Sequence, residues 1–583
     1  MGRKSISWIV ILVLFTVNLW SQDIPQHVSY SRIYDFIDEL SIDKIIDVNT
    51  AMKPYSRKFI AQKLKEAQAQ DSLLNNRQKK DLQFFLNDYA LECDTVPRGW
   101  VRASNNKSWE ISLLQPAFHF YNKNFKFRVS PIIGMDLIGN QNGLIIKRWY
   151  GADLQATIVN HIALYANYRD NSFNGNHLKN GLNPLDARIA RPQYLNNIVG
   201  AEYKESEYGG DFSDMRGGVK LYTWWGSIGL IKDNIVWGDS YNSSNIISGR
   251  APSFPMLTLN LKPVRWLEFN YIHGWLVSNV IDSSYYYTET YDTDKTKIHY
   301  RPKNKFIAAN MLTFTPIKHL NISLGNSIVY SERNVQAAYF IPLAYYKSID
   351  HLLTKGTRVE NQNSQIFFNI STRNLKHVHF YGSLFVDEFS FKRLKKSNKE
   401  HNIYSYKLGA KISNWPLKNV SLLAEFTRTS PVCYQHSIES LTWASNSYNL
   451  GHYLGANSQE IYVSLNYKPI RSLNLKLSYT NARHGNEYNY IRRQVTEVIS
   501  QKTLKDLTWQ NNNVQFEAIY EVCNNAYAVI RLDYNHTNGY VPSSQALDCE
   551  TRLAANEYVD LFTPKFYQGK NNVTCTLGFS FGF

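Results

Sequence analysis

The sequence predicts an all-β transmembrane antiparallel barrel of about 18 strands, within a range of about 16 to 20. A small N-terminal α-helical module is expected on its periplasmic side. Three observations carry this prediction: a strictly alternating C-terminal strand, an export signal at the N-terminus, and a regular alternation of short and long connections between strand-like segments. In the last segment, Val573, Cys575, Leu577, Phe579, Phe581 and Phe583 fall on one face and Thr574, Thr576, Gly578, Ser580 and Gly582 on the other. Successive side chains of a strand point to opposite faces, so this strand has one face for lipid and one for a lumen.

At the other end, Arg3 and Lys4 precede a short apolar run, Ile6 to Phe15, and Ser21 offers a small residue for cleavage before Gln22. That is a secretory signal, too short and wrongly flanked to span a membrane as a helix. The expected domains are a signal peptide over 1–21, a helical module over 22–104 and a barrel over 105–583. No cysteine lies near the cleavage point, which argues against a lipoprotein anchor.

Composition agrees. No later stretch is apolar for long enough to be a membrane helix. The mean hydropathy is −0.38 although 14% of residues are aromatic. A barrel combines these values because half of each strand faces water and Tyr and Trp gather at the two membrane interfaces. The formal charge is +16, and loss of the signal peptide would remove Arg3 and Lys4 but no acidic residue. A basic exported surface attracts anions, so the expected partners are outer-membrane lipids and lipopolysaccharide, acidic capsular or exopolysaccharide, and the barrel-assembly machinery during biogenesis; nucleic acid is not expected. The five cysteines (Cys93, Cys433, Cys523, Cys549, Cys575) lack metal-ligand spacing and are odd in number, so neither a metal site nor a disulfide framework is inferred. No cofactor is implied.

Within 22–104, three helices are expected. Ile33, Phe36, Ile37 and Leu40 recur at helical spacing; Phe59, Ile60 and Leu64 follow a credible N-cap at Ser56; Leu82, Phe85, Leu86 and Tyr89 mark a third helix from Asn76 to Leu91. Each is short and one-sided, so the helices need one another or the barrel rim as a partner, and would occlude the pore. From Trp109 the period becomes two. Twenty candidate strands follow, at 109–121, 125–137, 147–158, 161–168, 196–205, 216–224, 227–232, 256–262, 266–275, 305–314, 320–330, 363–373, 377–390, 403–413, 418–427, 459–467, 472–482, 512–522, 525–534 and 572–583. Pro316-Ile-Lys318, Pro416-Leu-Lys418 and Pro469-Ile-Arg471 read as recurring turns. The long segments near 170–195, 233–255, 280–304, 331–362, 429–458, 483–511 and 536–571 read as extracellular loops or as segments folded into the lumen.

No complete catalytic set is present. His536-Thr-Asn-Gly539 resembles part of the His-x-Ser-Asn-Gly stretch of outer-membrane phospholipases, but the nucleophilic serine is missing. Asp387 and Glu388 are adjacent in a strand, face opposite sides and cannot flank one glycosidic bond; one of them is expected to be a lumen-facing carboxylate held by Arg or Lys. His401, His436, His452 and His484 are isolated. Aromatic segments rich in amides and carboxylates remain. Rings that stack on sugar CH groups, beside planar amides and carboxylates for hydroxyls, are what a saccharide site needs. On this basis Trp237, Asp239, Tyr241, Trp443, Tyr448 and Tyr453 are the candidate polysaccharide-binding residues, with the Tyr285-Tyr-Tyr287 run a further aromatic segment.

Asn234-Ile-Val-Trp-Gly-Asp239, Ile247-Ser-Gly-Arg-Ala-Pro-Ser-Phe-Pro255 and Trp266-Leu-Glu-Phe-Asn-Tyr-Ile-His-Gly274 resemble the Wzi-like capsule-assembly outer-membrane proteins of Bacteroidota. Tyr34-x-Phe36, Lys53-Pro-Tyr-Ser-Arg57, Tyr339-Phe-Ile-Pro342 and Phe385-Val-Asp-Glu-Phe389 fit the same picture. The gliding-motility protein RemB is similar in layout. The resemblance covers nearly the whole chain after the signal. It implies an 18-stranded barrel with a periplasm-side helical bundle, and a non-enzymatic, lectin-like role in attaching polysaccharide to the cell surface. A gliding or adhesion component and a passive porin are the alternatives; no binding residue is carried over from the family.

Overall fold

The computed structural model describes residues 24–582 except 94, 96–101, 106–107, 113–116, 160, 183–198, 208, 293–294, 356–361, 392–401, 489–501 and 543–552. The expected signal peptide, Cys549, His401 and the final Phe583 lie outside the described residues.

Period-two alternation from Phe125 onward builds one closed antiparallel wall of eighteen strands. In chain order these are β1 (Phe125–Asn140), β2 (Gly143–Ile158), β3 (Ile162–Asn174), β4 (Gly209–Thr223), β5 (Gly226–Asp233), β6 (Phe254–Val264), β7 (Leu267–Leu276), β8 (Lys305–Ile317) and β9 (Leu320–Tyr330). They continue as β10 (Gln362–Thr372), β11 (Val378–Glu388), β12 (Ile403–Ser413), β13 (Val420–Thr429), β14 (Ser458–Ile470), β15 (Leu473–Gly485), β16 (Leu507–Cys523), β17 (Ala526–Gly539) and β18 (Asn572–Phe581). Each pairs with its sequence neighbour. The wall closes where β18 meets β1, from Cys575 opposite Gly139 to Phe581 opposite Ile133. Closure leaves no unpaired edge, which is the condition for strands to cross a bilayer.

The last strand has the faces its sequence predicts. Val573, Leu577 and Phe579 are exposed to the outside, whereas Thr574 and Thr576 are buried toward the lumen. The same rule holds around the wall: Leu230, Leu324, Leu408, Leu465 and Ile530 point out, and Ser323, Asn369, Ser405, Thr427 and Ser478 point in. Trp224, Trp266 and Trp415 stand exposed beside the short connections, where an interfacial aromatic belt belongs.

Two of the twenty candidate strands are not staves of the wall. The described residues of 109–121 form short strands Trp109–Ser112 and Phe118–Tyr121; the second pairs with the first half of β1, below the point where β18 ends. Among the described residues of 196–205, a short strand, Lys204–Ser206, pairs with the outer end of β4. The remaining eighteen match the wall, with 216–224 and 227–232 as separate strands. The expected loop 280–304 carries a hairpin: Ile281–Asp292 pairs with Lys295–Pro302 and stands clear of the wall.

The short connections at 224–225, 265–266, 318–319, 373–377, 414–419, 471–472 and 524–525 all lie at one end of the barrel. The three Pro-x-basic turns are among them. The N-terminal module sits at this end. It contains α1 (Ser31–Ile42), α2 (Arg57–Gln68) and α3 (Asn76–Asp88). Ser56 Oγ accepts from the Phe59 amide at 3.0 Å and starts α2, and Asn75 with Gln78 forms a capping box for α3. The periodic apolar residues meet in one core of Ile33, Phe36, Ile37, Leu40, Ile60, Leu64, Leu82 and Phe85. Charged flanks stitch this core to the barrel turns. Asp43 meets His377 at 2.9 Å and Asn414 at 2.7 Å, Arg77 donates to Asn419 at 2.8 Å, and Arg32 reaches Glu521 at 3.3 Å.

One long connection takes a course outside the two expected. Residues 331–355, with α4 (Tyr346–Leu353), neither stand above the barrel nor enter the lumen; they fold back over the outside of β7–β9. Tyr339 and Tyr346 pack there on Tyr271, Phe306, Ile328 and Tyr330. Asn310 and Asn326 lie opposite each other on the outer face, in line with Leu312 and Leu324. They donate to the carbonyls of Pro342 (2.7 Å) and Ala344 (2.9 and 3.2 Å), and Asn326 accepts from the Tyr346 amide at 3.0 Å. Two amides that would be costly against lipid are thereby satisfied.

Candidate functional site

The lumen is closed by two segments that meet inside it. From the outer end, residues 234–253 fold inward, and Val236–Trp237 pairs antiparallel with Met52–Lys53 of the N-terminal module. Gly238 makes the turn with φ of 94°, a conformation glycine adopts without strain, and donates to Ala51 O at 2.9 Å. Trp237 is fully buried against Phe367, among Ile246, Ile247 and Met256.

Below this contact lies an ionic cluster shared by module, inward loop and wall. Asp38 on α1 accepts from Lys411 Nζ at 2.7 Å, Arg373 Nη2 at 3.3 Å and the Tyr241 hydroxyl at 2.6 Å. Tyr241 OH is also 2.8 Å from His379 Nδ1, and Lys411 lies 4.3 Å over the Tyr241 ring. Asp239 exchanges two 3.1 Å bonds with Asn369 and lies 3.6 Å from Arg373. Burial alone would raise the Asp38 carboxyl; Lys411 and Arg373 override it and hold it well below the ordinary carboxylate range. The Tyr241 hydroxyl is pushed up by burial and by Asp38. Neighbouring Glu39 is lowered to about 2, because Arg77 and Lys468 outweigh burial.

Two wall carboxylates hold the rest of the loop. Glu425 accepts from the amides of Tyr241 (2.8 Å) and Asn242 (3.0 Å), from Lys407 (3.0 Å) and from the Tyr381 hydroxyl. Glu460 accepts from Asn242 Nδ2 at 3.0 Å and lies 3.2 Å from His452. A second loop, 430–457, covers the first. Tyr434 donates to Asn245 O at 2.6 Å, Trp443 Nε1 to Ile246 O at 3.1 Å, and the Ser248 amide to Leu450 O at 2.7 Å.

The structure therefore divides the six sequence-predicted residues. Asp239 and Tyr241 come together in the lumen cluster. Trp237, Trp443, Tyr448 and Tyr453 are buried in the stacked loops, with Tyr448 donating to Ala201 O at 3.0 Å and Tyr453 to Glu460. Their rings pack against protein and present no open face. Asp387 faces the lumen but is held by the Tyr434 amide at 2.9 Å, so the expected Arg or Lys partner is not its anchor; Glu425 with Lys407 fills that role instead. At His536, Nδ1 lies 2.8 Å from Asn571 Oδ1, while the adjacent Thr537 hydroxyl points to the other face and donates to Asn511.

Open aromatic surface lies elsewhere. On the outward hairpin, Tyr285, Tyr286, Tyr287 and Tyr300 are all more than half exposed. Tyr287 stacks on His299 at 4.7 Å, and Arg301 lies 5.5 Å from the Tyr285 ring. At the opposite mouth, a cavity of about 410 Å³ separates α2 from the inner face of β4–β7. Alternation in four wall strands supplied its polar lining, yet no local motif marked it, because the cavity forms only when α2 docks.

A family model described as capsule assembly protein Wzi matches residues 195–532. Among solved structures, the chain is similar to Wzi of Escherichia coli, described as an outer-membrane protein involved in group 1 capsule assembly and as a carbohydrate-binding β-barrel. The identity is 10%, the TM-score 0.55, and the match covers 97% of this chain and 100% of that one. Pseudomonas aeruginosa OprD (10% identity, TM-score 0.38, 78% of this chain and 93% of that one) and Acinetobacter baumannii OccAB4 (8%, 0.39, 79% and 97%) are more distant. No curated protein sequence matches the chain.

Proposed function

The chain belongs to the Wzi capsule-assembly protein family, and from that premise we propose that it is a non-enzymatic outer-membrane barrel that binds surface polysaccharide on its outward side and assists its assembly or attachment as capsule. The observation that carries this reading is the filled lumen: the inward loop is bonded to the wall by Glu425 and Glu460 and to the helical module through Met52–Lys53 and Asp38. Such a barrel works through its faces, not as a conduit, which disfavours the porin reading. The free hairpin with Tyr285–Tyr287 and Tyr300 offers ring faces of the kind saccharides stack on. The apolar outer wall and the aromatic residues at its lower rim suit an outer-membrane position. His536 and Thr537 point to opposite faces and cannot work as base and nucleophile, which supports a role without catalysis. We assign the signal peptide to 1–21, the periplasmic module to 22–104 and the barrel to 105–583.

Deletion of the gene tests the proposal. Surface polysaccharide is expected to leave the cells and accumulate in the medium. Complementation with a chain carrying Ala at Tyr285, Tyr286, Tyr287 and Tyr300 should restore the barrel without restoring retention. Polysaccharide that stays cell-attached in the deletion strain would overturn the reading; if surface spreading is lost instead, a gliding or adhesion role replaces it.

A further inference from the structure

We propose that the cavity at the short-turn mouth is a second, inward-facing saccharide site, selective for sugars that carry a carboxylate. Its lining combines four lysines, Lys53, Lys58, Lys220 and Lys262, with one carboxylate, Glu268. Glu268 Oε1 accepts from Asn260 Nδ2 at 2.8 Å, while its Oε2 lies 4.0 Å from Lys262 with no hydrogen-bond partner among the described residues; four cationic side chains against this one carboxylate still give the lining a positive excess. A concave site with one sign of charge in low-dielectric walls concentrates the opposite ion. The start of α2 adds to this field. Ser56, Lys58 and Phe59 of its first turn line the cavity, placing the positive end of a 12-residue helix there.

A second observation points to a polar ligand. Asn270, only 3% exposed, lines the cavity; its Oδ1 accepts from Asn260 at 2.5 Å, but its Nδ2 has no hydrogen-bond partner among the described residues. A buried amide N–H left without an acceptor is costly, so such a group is a natural donor to an incoming hydroxyl or carboxylate. Thr258, Asn260 and Ser227 supply further hydroxyl and amide groups, and Tyr55, Phe59 and Tyr222 supply rings. Lysines for a carboxylate, amides and hydroxyls for ring hydroxyls, and aromatic faces for CH groups together specify an acidic saccharide rather than a bare anion. The volume lies within the range of about 300–1,000 Å³ typical of small-molecule sites. The ligand class rests on the polysaccharide reading above; the anion preference of the cavity does not.

The test uses the full-length protein in detergent. Titration calorimetry compares a glucuronate-containing oligosaccharide with its carboxyl-reduced neutral analogue, on the native chain and on a Lys58→Gln, Lys220→Gln double variant. In parallel, amine-specific labelling read by mass spectrometry follows Lys58 and Lys220 in the native chain with and without glucuronate, which needs no variant to fold. The acidic sugar is expected to bind at least about tenfold tighter than the neutral one, to lose about tenfold or more in the double variant, and to protect both lysines. Equal affinity for the two sugars, an unaffected double variant, or unprotected lysines overturns the inference. Oligosaccharide binding that ignores the double variant refutes the cavity site and leaves the outward-face reading intact. Protection of Lys58 and Lys220 by glucuronate, in a protein whose deletion leaves capsule attached, upholds the site and refutes the capsule reading.

Discussion

Replacing Asp38 by Ala should unlatch the helical module from the lumen. The carboxylate takes Lys411, Arg373 and the Tyr241 hydroxyl at 2.7, 3.3 and 2.6 Å, joining α1, wall strand β12, the turn after β10 and the inward loop at one point. Its removal leaves two cations without their common anion. Breaking a buried pair by deleting one partner costs about 3–5 kcal/mol. Asp239 still lies 3.6 Å from Arg373, so the lower end, about 3 kcal/mol, is appropriate. That shifts the balance between docked and undocked module by a factor of about 150. Single-channel recording in planar bilayers should show brief openings roughly that much more frequent than in the native barrel. Limited proteolysis should cut the link between α1 and α2 correspondingly faster. Asp38→Asn keeps a partner for the Tyr241 hydroxyl but not the charge, and should fall between the two. Native-like conductance and native-like cleavage in Asp38→Ala would refute the argument that this cluster holds the lumen shut.

Three further outcomes are expected. The Glu39 carboxyl is lowered to about 2, so its contribution is fully present above the unfolded value of about 4.3 and is lost as pH falls toward 2. The size is on the order of 3 kcal/mol; Asp43, raised by burial and by Glu39, has the opposite sign, so comparison with Glu39→Gln isolates the term, and an acid-unfolding profile identical in that variant would contradict it. On the outer wall, Leu324→Arg puts a charge into lipid at mid-strand and should cost about 2–4 kcal/mol in urea unfolding from bilayers, whereas Leu73→Arg, at an exposed position of the helical module, should not. Asn326→Leu removes the donor to Ala344 O and the acceptor for the Tyr346 amide, at about 1–3 kcal/mol, and should speed tryptic cleavage after the exposed Lys347 as the flap opens; an unchanged rate would show that the apolar packing of Tyr339 and Tyr346 holds the flap alone.

The wall was legible because its rule is local. Val573 to Phe581 reveal their faces by alternation alone, and so do most of the strands that were read correctly. The same locality explains the two false staves. Residues 109–121 have strand-like composition, but which neighbour they pair with depends on where β18 stops against β1, a relation across the whole chain. The helices were readable from apolar spacing and from the Ser56 cap. Loop destinations were not readable. Trp237, Trp443, Tyr448 and Tyr453 are aromatic residues in polar loops, and sequence alone does not distinguish a ring that stacks on sugar from one that packs under a second loop. The Asp38 cluster was missed because its members come from residues 38, 239, 241, 373, 379 and 411, with no spacing to betray them. Asp239 and Tyr241 were singled out for their chemistry, and the structure gives that chemistry an internal partner.

The placement of charge explains why the fold stays closed. An 18-stranded wall encloses more space than its own side chains fill, and open barrels of similar size carry water. Here the lumen is occupied by polar segments, and polar segments buried in a protein are stable only when their groups are paired. Glu425, Glu460 and Asp38 each take three or more donors, drawn from the loop, the wall or the module. The closing elements are thus held by charge-assisted bonds, which lose much of their strength if the donors separate slightly, instead of by apolar contacts that tolerate sliding. A plug held in this way is either fully seated or released. Opening the lumen for polymer would mean breaking several such bonds at once, so a polysaccharide handled by this barrel meets it at its two mouths. Residues that face those mouths, Tyr285–Tyr287 outside and Lys58 with Lys220 inside, are accordingly where substitutions should change binding without loosening the wall.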